Sequence, residues 1–303
     1  MSRTTSQIYS SSEATSGQPK IGDFIELTKP RLSLMSVITA VLGYFAAGPE
    51  LNAGVFISLV GGTAFAAFGC GVLNQWWERE ADAKMYRTKD RPIAAGRISP
   101  SVALIFGASL SILGCAWLWG GVNQMASILT IATVFLYLLA YTPMKRRSVW
   151  ATEIGAIPGA LPPLIGWIAA GAGFSVMGWV LFALLFAWQI PHFMAISWNC
   201  REDYEKGGFK MLSIIDPSGK RVAIKGLLWT LLLIAISFYP IRLPEVNWLV
   251  GITGLVLGIY LLIPAWKFAF GQNPNFNARK LFIATLVYLP VYLSALVADR
   301  FFI

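Results

Sequence analysis

What most restricts the folding of this chain is a succession of long apolar runs, nearly every one long enough to cross the ~30 Å hydrocarbon core of a bilayer. Nine candidate spans cover residues 32–48, 54–74, 101–120, 124–142, 150–171, 175–198, 223–241, 247–269 and 281–299. A bilayer interior offers unpaired backbone groups no partner, so successive spans of this kind are helices. Charged residues make up 13% of the chain, against about 25% in a soluble domain. The expected fold class is all-α, a polytopic membrane protein.

The basic residues test the span boundaries. With nine spans, 22 of the 24 Lys and Arg residues fall on one side, and only Arg242 and Arg300 on the other. The positive-inside rule then places the N-terminus and the large polar loops in the cytoplasm and the C-terminus outside. The net charge of +9 is spread over several short loops rather than one soluble patch, so it orients the protein and is no signal for nucleic acid. The bilayer itself is the expected surrounding.

Residues 1–24 are expected to form a disordered cytoplasmic tail, and 25–303 a single intramembrane domain. The first 20 residues are rich in Ser and Thr and lack the apolar core of a signal peptide. Arg3 and Lys20 alone are few cations for a mitochondrial transit peptide, which favours a bacterial inner membrane over a mitochondrial one. Cys70, Cys115 and Cys200 are widely spaced and form no CxxC pair, so neither a zinc site nor a disulfide framework is indicated.

Between the second and third spans lies NQWWEREADAKMYRTKDRP, residues 74–92. Asn74, Glu78 and Asp82 are spaced four apart, which puts them on one face of a helix. Arg87, Lys89 and Arg91 come next. Oxygen ligands for a divalent cation beside fixed cations suit a metal-bridged phosphate ester. The plainer alternative is a solvated helix end with i,i+4 ion pairs, to which Asn74 would add nothing. After the sixth span, WNCREDYEKGGFKML, residues 198–212, again sets carboxylates (Glu202, Asp203, Glu205) among cations. Asn199 and Asp203 repeat the four-residue step. Two acidic groups match the charge of a lipid diphosphate, which two Mg²⁺ ions would neutralise while its allylic C–O bond breaks. Trp76, Trp77, Tyr86, Tyr141 and Tyr204 lie near these loops, where their π-faces could stabilise a cation; aromatic residues at span ends also serve as interface belts. Lys145, Arg146 and Arg147 are by default a topology signal, and Glu153 is expected to pair with Arg146 or Arg147.

The pattern formed by Asn74, Glu78, Asp82, Arg87 and Arg91-Pro92 resembles the first signature of the UbiA-type intramembrane prenyltransferases. The stretches at 84–99, 140–148, 154–167, 188–193 and 203–212 resemble, more narrowly, the heme O synthase family, the protoheme IX farnesyltransferases. That resemblance implies nine helices around a central cavity open to the cytoplasmic side, and transfer of farnesyl from farnesyl diphosphate to a vinyl group of heme B in the presence of Mg²⁺. It implies that Asn74, Glu78, Asp82 and Asp203 hold the metal-diphosphate. Arg87, Arg91 and Lys145, with Arg146 beside it, would bind diphosphate. Glu78 stands where the family usually has Asp. Gly207 stands where other members can have an acid, and the roles of Glu202 and Glu205 stay open. His192, the only histidine, is by itself as well explained by a structural hydrogen bond; a heme acceptor makes it a candidate iron ligand or a positioning group for the vinyl or the water. Pro191 and Pro158, Pro162 and Pro163 are expected to loosen their helices. Heme A synthase or oxidase-assembly proteins are the implied downstream partners. Two alternatives stand beside this reading: a prenyltransferase acting on an aromatic quinone precursor or other lipid acceptor, and a non-catalytic transporter or heme-binding membrane protein.

Overall fold

The computed structural model describes residues 19–244 and 246–302. Residues 1–18 of the expected tail lie outside the described residues. Its last residues do not belong to a tail, because helix α1 begins at Ile21.

Each of the nine expected spans falls on a helix. These are α2 (Pro30–Ala46), α3 (Ala53–Asp82), α4 (Pro100–Gly121), α5 (Gln124–Phe135), α7 (Ala151–Ala169), α8 (Val176–Asn199), α11 (Lys220–Phe238), α12 (Trp248–Phe270) and α13 (Pro274–Phe302). Between them lie α1 (Ile21–Leu27), α6 (Thr142–Met144), α9 (Arg201–Lys206) and α10 (Leu212–Ile215). Side-chain caps start several of the long helices: Asn52 accepts from Val55 N–H at 3.1 Å, Ser99 from Val102 at 3.3 Å and Asn123 from Ala126 at 2.8 Å.

Among the described residues, seven helices are long and apolar enough to cross a membrane. The other two candidates fall short for different reasons. Helix α2 has 17 residues. Helix α7 carries three prolines and Glu153, and it is buried along almost its whole length, so protein rather than lipid surrounds it. Its neighbours are α2, α5 and α8. Small residues make this close packing possible: a Cβ on Gly43 would run into the Pro163 carbonyl, and one on Gly166 into the Ala40 carbonyl. Contrary to expectation, α7 and α8 run unbroken through their prolines. The irregular backbone lies elsewhere, in a π-helical turn at Leu136–Tyr141 that prolongs α5 into α6.

Helix α3 has 30 residues, about 45 Å at ~1.5 Å per residue, and so outruns a bilayer core. It continues eight residues past the expected end of its span at Asn74, and those residues carry Glu78 and Asp82. The basic loops meet at this end. Asp203 accepts from Tyr86 and Arg87, Lys210 N–H donates to the Lys145 carbonyl, and Arg201 reaches Asn275. At the opposite ends of the helices the Asn247 N–H donates to Asp299 on α13, and the Asn123 side chain to the Ile168 carbonyl on α7.

Candidate active site at the end of α3

Asn74, Glu78 and Asp82 share the inner face of α3 and are almost fully enclosed, at 1%, 6% and 0% exposure. Each is occupied by a partner from another segment. Lys145 Nζ donates to Glu78 Oε1 at 2.8 Å. Arg91 Nη1 lies 2.7 Å from both oxygens of Asp82. Asn74 donates to Thr142 Oγ1 at 3.2 Å and accepts from Lys29 Nζ at 2.6 Å. The solvated-helix-end alternative therefore fails, because the partners are not i,i+4 neighbours and the carboxylates do not face water.

Local structure explains the convergence. The π turn inserts one residue into the α5 ladder, which shifts the phase of the helix beyond Tyr141. Thr142, bonded to the Tyr137 carbonyl at 2.8 Å, then meets Asn74, and Lys145 meets Glu78. The chain after α3 turns back under the Thr88 hydroxyl, which donates to the Asp82 carbonyl at 3.0 Å, and delivers Arg91 to Asp82. Burial alone would depress the Lys145 ammonium, but Glu78 and the Tyr141 and Tyr137 rings hold it well above its ordinary range. For Lys29 the balance reverses. Burial and the Arg91 and Lys145 charges, against the opposing pull of Glu78 and Asp82, bring it down to about 7.

Asp203 takes another position. Its two oxygens accept from the backbone N–H groups of Tyr86 and Arg87, at 3.2 and 3.1 Å, so it clamps the loop between α3 and Arg91. Arg87 is exposed, with its guanidinium 5.7 Å from the centre of the Tyr204 ring. Arg146, Glu202 and Glu205 are exposed, and the side chain of none of them makes a hydrogen bond or ion pair among the described residues. Asn199 is also exposed, so the echo of Asn74 in the second stretch is not repeated in space. Glu153 pairs with Lys225 rather than with Arg146 or Arg147, because α11 brings Lys225 against the start of α7, beneath the Trp150 ring.

A narrow pocket of about 40 Å³ adjoins Lys145. Tyr141, Gly155, Phe193, Ser197, Tyr204 and Met211 are among its lining residues. Of the five aromatic residues near the loops, two line it. Trp77 and Tyr86 are exposed, and Trp76 packs against the cluster around Leu27 and Val72. His192 is not among the lining residues. It faces α13, its ring stacked on Trp188 at 4.6 Å and 5.0 Å from that of Phe282. Its Nδ1 lies 2.8 Å from Thr285 Oγ1, whose proton goes to the Phe282 carbonyl at 2.6 Å. Thr285 must then accept from Nδ1–H, which leaves Nε2 as the ring nitrogen with a lone pair.

The donors on α3 are all oxygen, which suits Mg²⁺. That ion usually takes one or two carboxylates and completes its shell with water and substrate phosphate. Among the described residues no three His, Cys, Asp or Glu side chains converge. The residues fit a metal shared between protein and phosphate, not a cage of protein alone.

Lys29 and Thr142 escape a reading of the sequence. Lys29 counts there only as a topology charge. Its sole local signal is its place directly before Pro30, where extended backbone is expected; the structure instead shows a left-handed φ of 49°.

Residues 36–286 match the family model for the UbiA prenyltransferase family. A protoheme IX farnesyltransferase of Opitutus terrae is 46% identical over 94% of this chain and 96% of its own length. The human mitochondrial protoheme IX farnesyltransferase is 35% identical over 90% of this chain and 61% of its own length. Among solved structures, a digeranylgeranylglyceryl phosphate synthase superposes with a TM-score of 0.78 at 19% identity, covering 92% of this chain and 98% of that one. A UbiA homologue from Archaeoglobus fulgidus bound to GPP and Mg²⁺ gives 0.63 at 15% identity, over 90% and 99% of the two chains.

Proposed function

The chain belongs to the UbiA prenyltransferase family, and we propose that it transfers the farnesyl group of farnesyl diphosphate to a vinyl group of heme B, giving heme O and diphosphate. The observation that carries this is the enclosed set of oxygen ligands and cations at the end of α3. The acceptor is inferred from the relatives, which are named for heme farnesylation over nearly the whole chain.

Asn74, Glu78 and Asp82 would hold Mg²⁺ jointly with the diphosphate, and the ion would neutralise charge on the leaving group. Arg91 and Lys145 would donate to the phosphate oxygens that gain charge as the C1–O bond breaks. Arg91 engages Asp82 through a single nitrogen, which leaves further N–H groups of its fork for a phosphate. Arg87 would reach the outer phosphate from the loop that Asp203 clamps, so Asp203 acts by positioning that loop. Loss of diphosphate leaves an allylic cation. The Tyr141 ring, 4.5 Å from Lys145 Nζ and against Gly155, would stabilise it. The π electrons of the heme vinyl group close the new C–C bond. Water captures the resulting cation beside the porphyrin, and one proton is released. His192 would orient the heme through its unprotonated Nε2.

A pocket of about 40 Å³ admits neither substrate, since ligand pockets run to about 300–1,000 Å³. Binding would therefore need this pocket to widen, and the strap from α9 to α10 is the segment we propose to move. It lines the pocket through Met211 and is tied to Lys145 by one backbone hydrogen bond. The function is tested by mass spectrometry of the hemes in membranes expressing the chain, with and without added farnesyl diphosphate. Heme O that rises with the added diphosphate supports the reading; a prenylated quinone precursor in its place would redirect it to another acceptor.

A further inference from the structure

We propose that Lys29 binds the diphosphate of the prenyl substrate, as a third cation beside Arg91 and Lys145; this rests on the prenyl-transfer reading above. Glu78 and Asp82 each hold one cation, at 2.8 and 2.7 Å. Lys29 reaches the same face of α3 and meets a neutral amide oxygen, Asn74 Oδ1, at 2.6 Å. The enclosed cluster then sets three basic side chains against two carboxylates, and Lys29 is the one whose partner is not a carboxylate. Charging Lys29 there without a counter-ion is costly, so the arrangement favours an anion between Asn74 and Lys145. A phosphate oxygen there would give Lys29 the charge-assisted hydrogen bond that an amide cannot.

The backbone supports the same assignment independently. Lys29 is the only non-glycine residue with positive φ among the described residues, and strain of this kind persists where surrounding contacts impose it. Those contacts are present. Gln75 Nε2 donates to the Leu27 carbonyl at 3.0 Å, and the Ser33 hydroxyl to the Thr28 carbonyl at 2.8 Å. Gly71 leaves room for the Thr28 carbonyl to approach α3. The junction of α1 and α2 is thus held against α3 at Gly71 and Gln75, on either side of Asn74, and the Lys29 side chain is turned inward. A lysine serving topology alone would extend its ammonium to water.

The test uses the full chain in detergent, with inorganic pyrophosphate and Mg²⁺ as the probe. Lys29→Met keeps the length of the side chain and removes its charge. It is expected to weaken pyrophosphate binding and raise the KM for farnesyl diphosphate at least about tenfold, the loss of one hydrogen bond to a charged group. Heme affinity and melting temperature should stay near wild type. Lys29→Arg should recover much of the binding. Lys29→Gly, which relaxes the backbone, should show the same loss as Lys29→Met and guards against a folding defect in either. Arg91→Met is the control for the site itself. Pyrophosphate affinity lost in Arg91→Met but unchanged in Lys29→Met and Lys29→Gly would overturn the role of Lys29 alone. Affinity unchanged in all three would overturn the diphosphate site.

Discussion

Asp203 lies four residues past the end of α8, and the two N–H groups it holds belong to Tyr86 and Arg87, 117 and 116 residues away. Replacing it with Asn removes the charge and one of the two acceptor oxygens. Asp203→Asn is expected to raise the KM for farnesyl diphosphate about tenfold or more, with heme affinity unchanged, because the loop carrying Arg87 loosens. Steady-state kinetics with each substrate varied in turn checks this. His192 gives a second prediction at this scale. His192→Ala should bind farnesyl diphosphate as wild type does and fail to form heme O. If Nε2 ligates iron, the Soret band of the wild-type heme complex should be shifted relative to the variant; wild-type turnover and heme affinity in His192→Ala would leave the residue with only its packing against α13. At this scale the sequence shows Asn74, Glu78 and Asp82, because their spacing is local. It does not show Lys29, which depends on a left-handed backbone before proline and on tethers from α3. Nor does it place Asp203 on the loop of Tyr86, since that contact joins segments brought together only by the bundle.

Helices α2 and α7 cross where glycine faces a carbonyl on each side, at Gly43 with Pro163 and Gly166 with Ala40. Gly166→Val is expected to destabilise the protein by roughly 1–3 kcal/mol or more, since neither backbone can withdraw. Gly120 has nothing within 4 Å of a built Cβ, so Gly120→Ala should be neutral or slightly stabilising. Melting temperatures in detergent compare the two. Hydropathy locates a helix at each expected span, with boundaries within a few residues except at the end of α3 and the start of α13, which begins seven residues before its expected span. Helix α3 runs past its apolar segment because its last turns are held by partners rather than by lipid. The prolines of α7 and α8 were poor guides to irregular backbone, because close neighbours keep both helices intact around them. The π turn has no comparable signal: Leu136–Tyr141 reads as an ordinary apolar segment, and its effect is a change of phase.

Across the whole molecule, contacts between loops group the basic segments at one end, as expected from the distribution of Lys and Arg if the chain crosses nine times. Single cysteines introduced at Lys89, Arg147, Glu205 and Gln272 in a cysteine-free background should all label from the cytoplasmic side, and none from outside. Labelling of any one from outside would break the alternation of spans. The charge pattern made this organisation legible from sequence alone, whereas the small pocket and the strap that lines it needed coordinates, because they depend on which side chains meet.

The claim that joins these scales is that the enclosed cluster at the end of α3 drives farnesyl transfer to heme. Its most direct test is a single-turnover reaction of the purified chain with heme B, farnesyl diphosphate and Mg²⁺, with heme products resolved by mass spectrometry for wild type and for Asp82→Ala. Removal of a buried carboxylate that holds Arg91 and faces the proposed Mg²⁺ should abolish heme O formation in a variant that still inserts and binds heme, while wild type converts heme B to heme O. Heme O formed by Asp82→Ala at the wild-type rate, or none formed by wild type while farnesyl diphosphate is consumed, would contradict it.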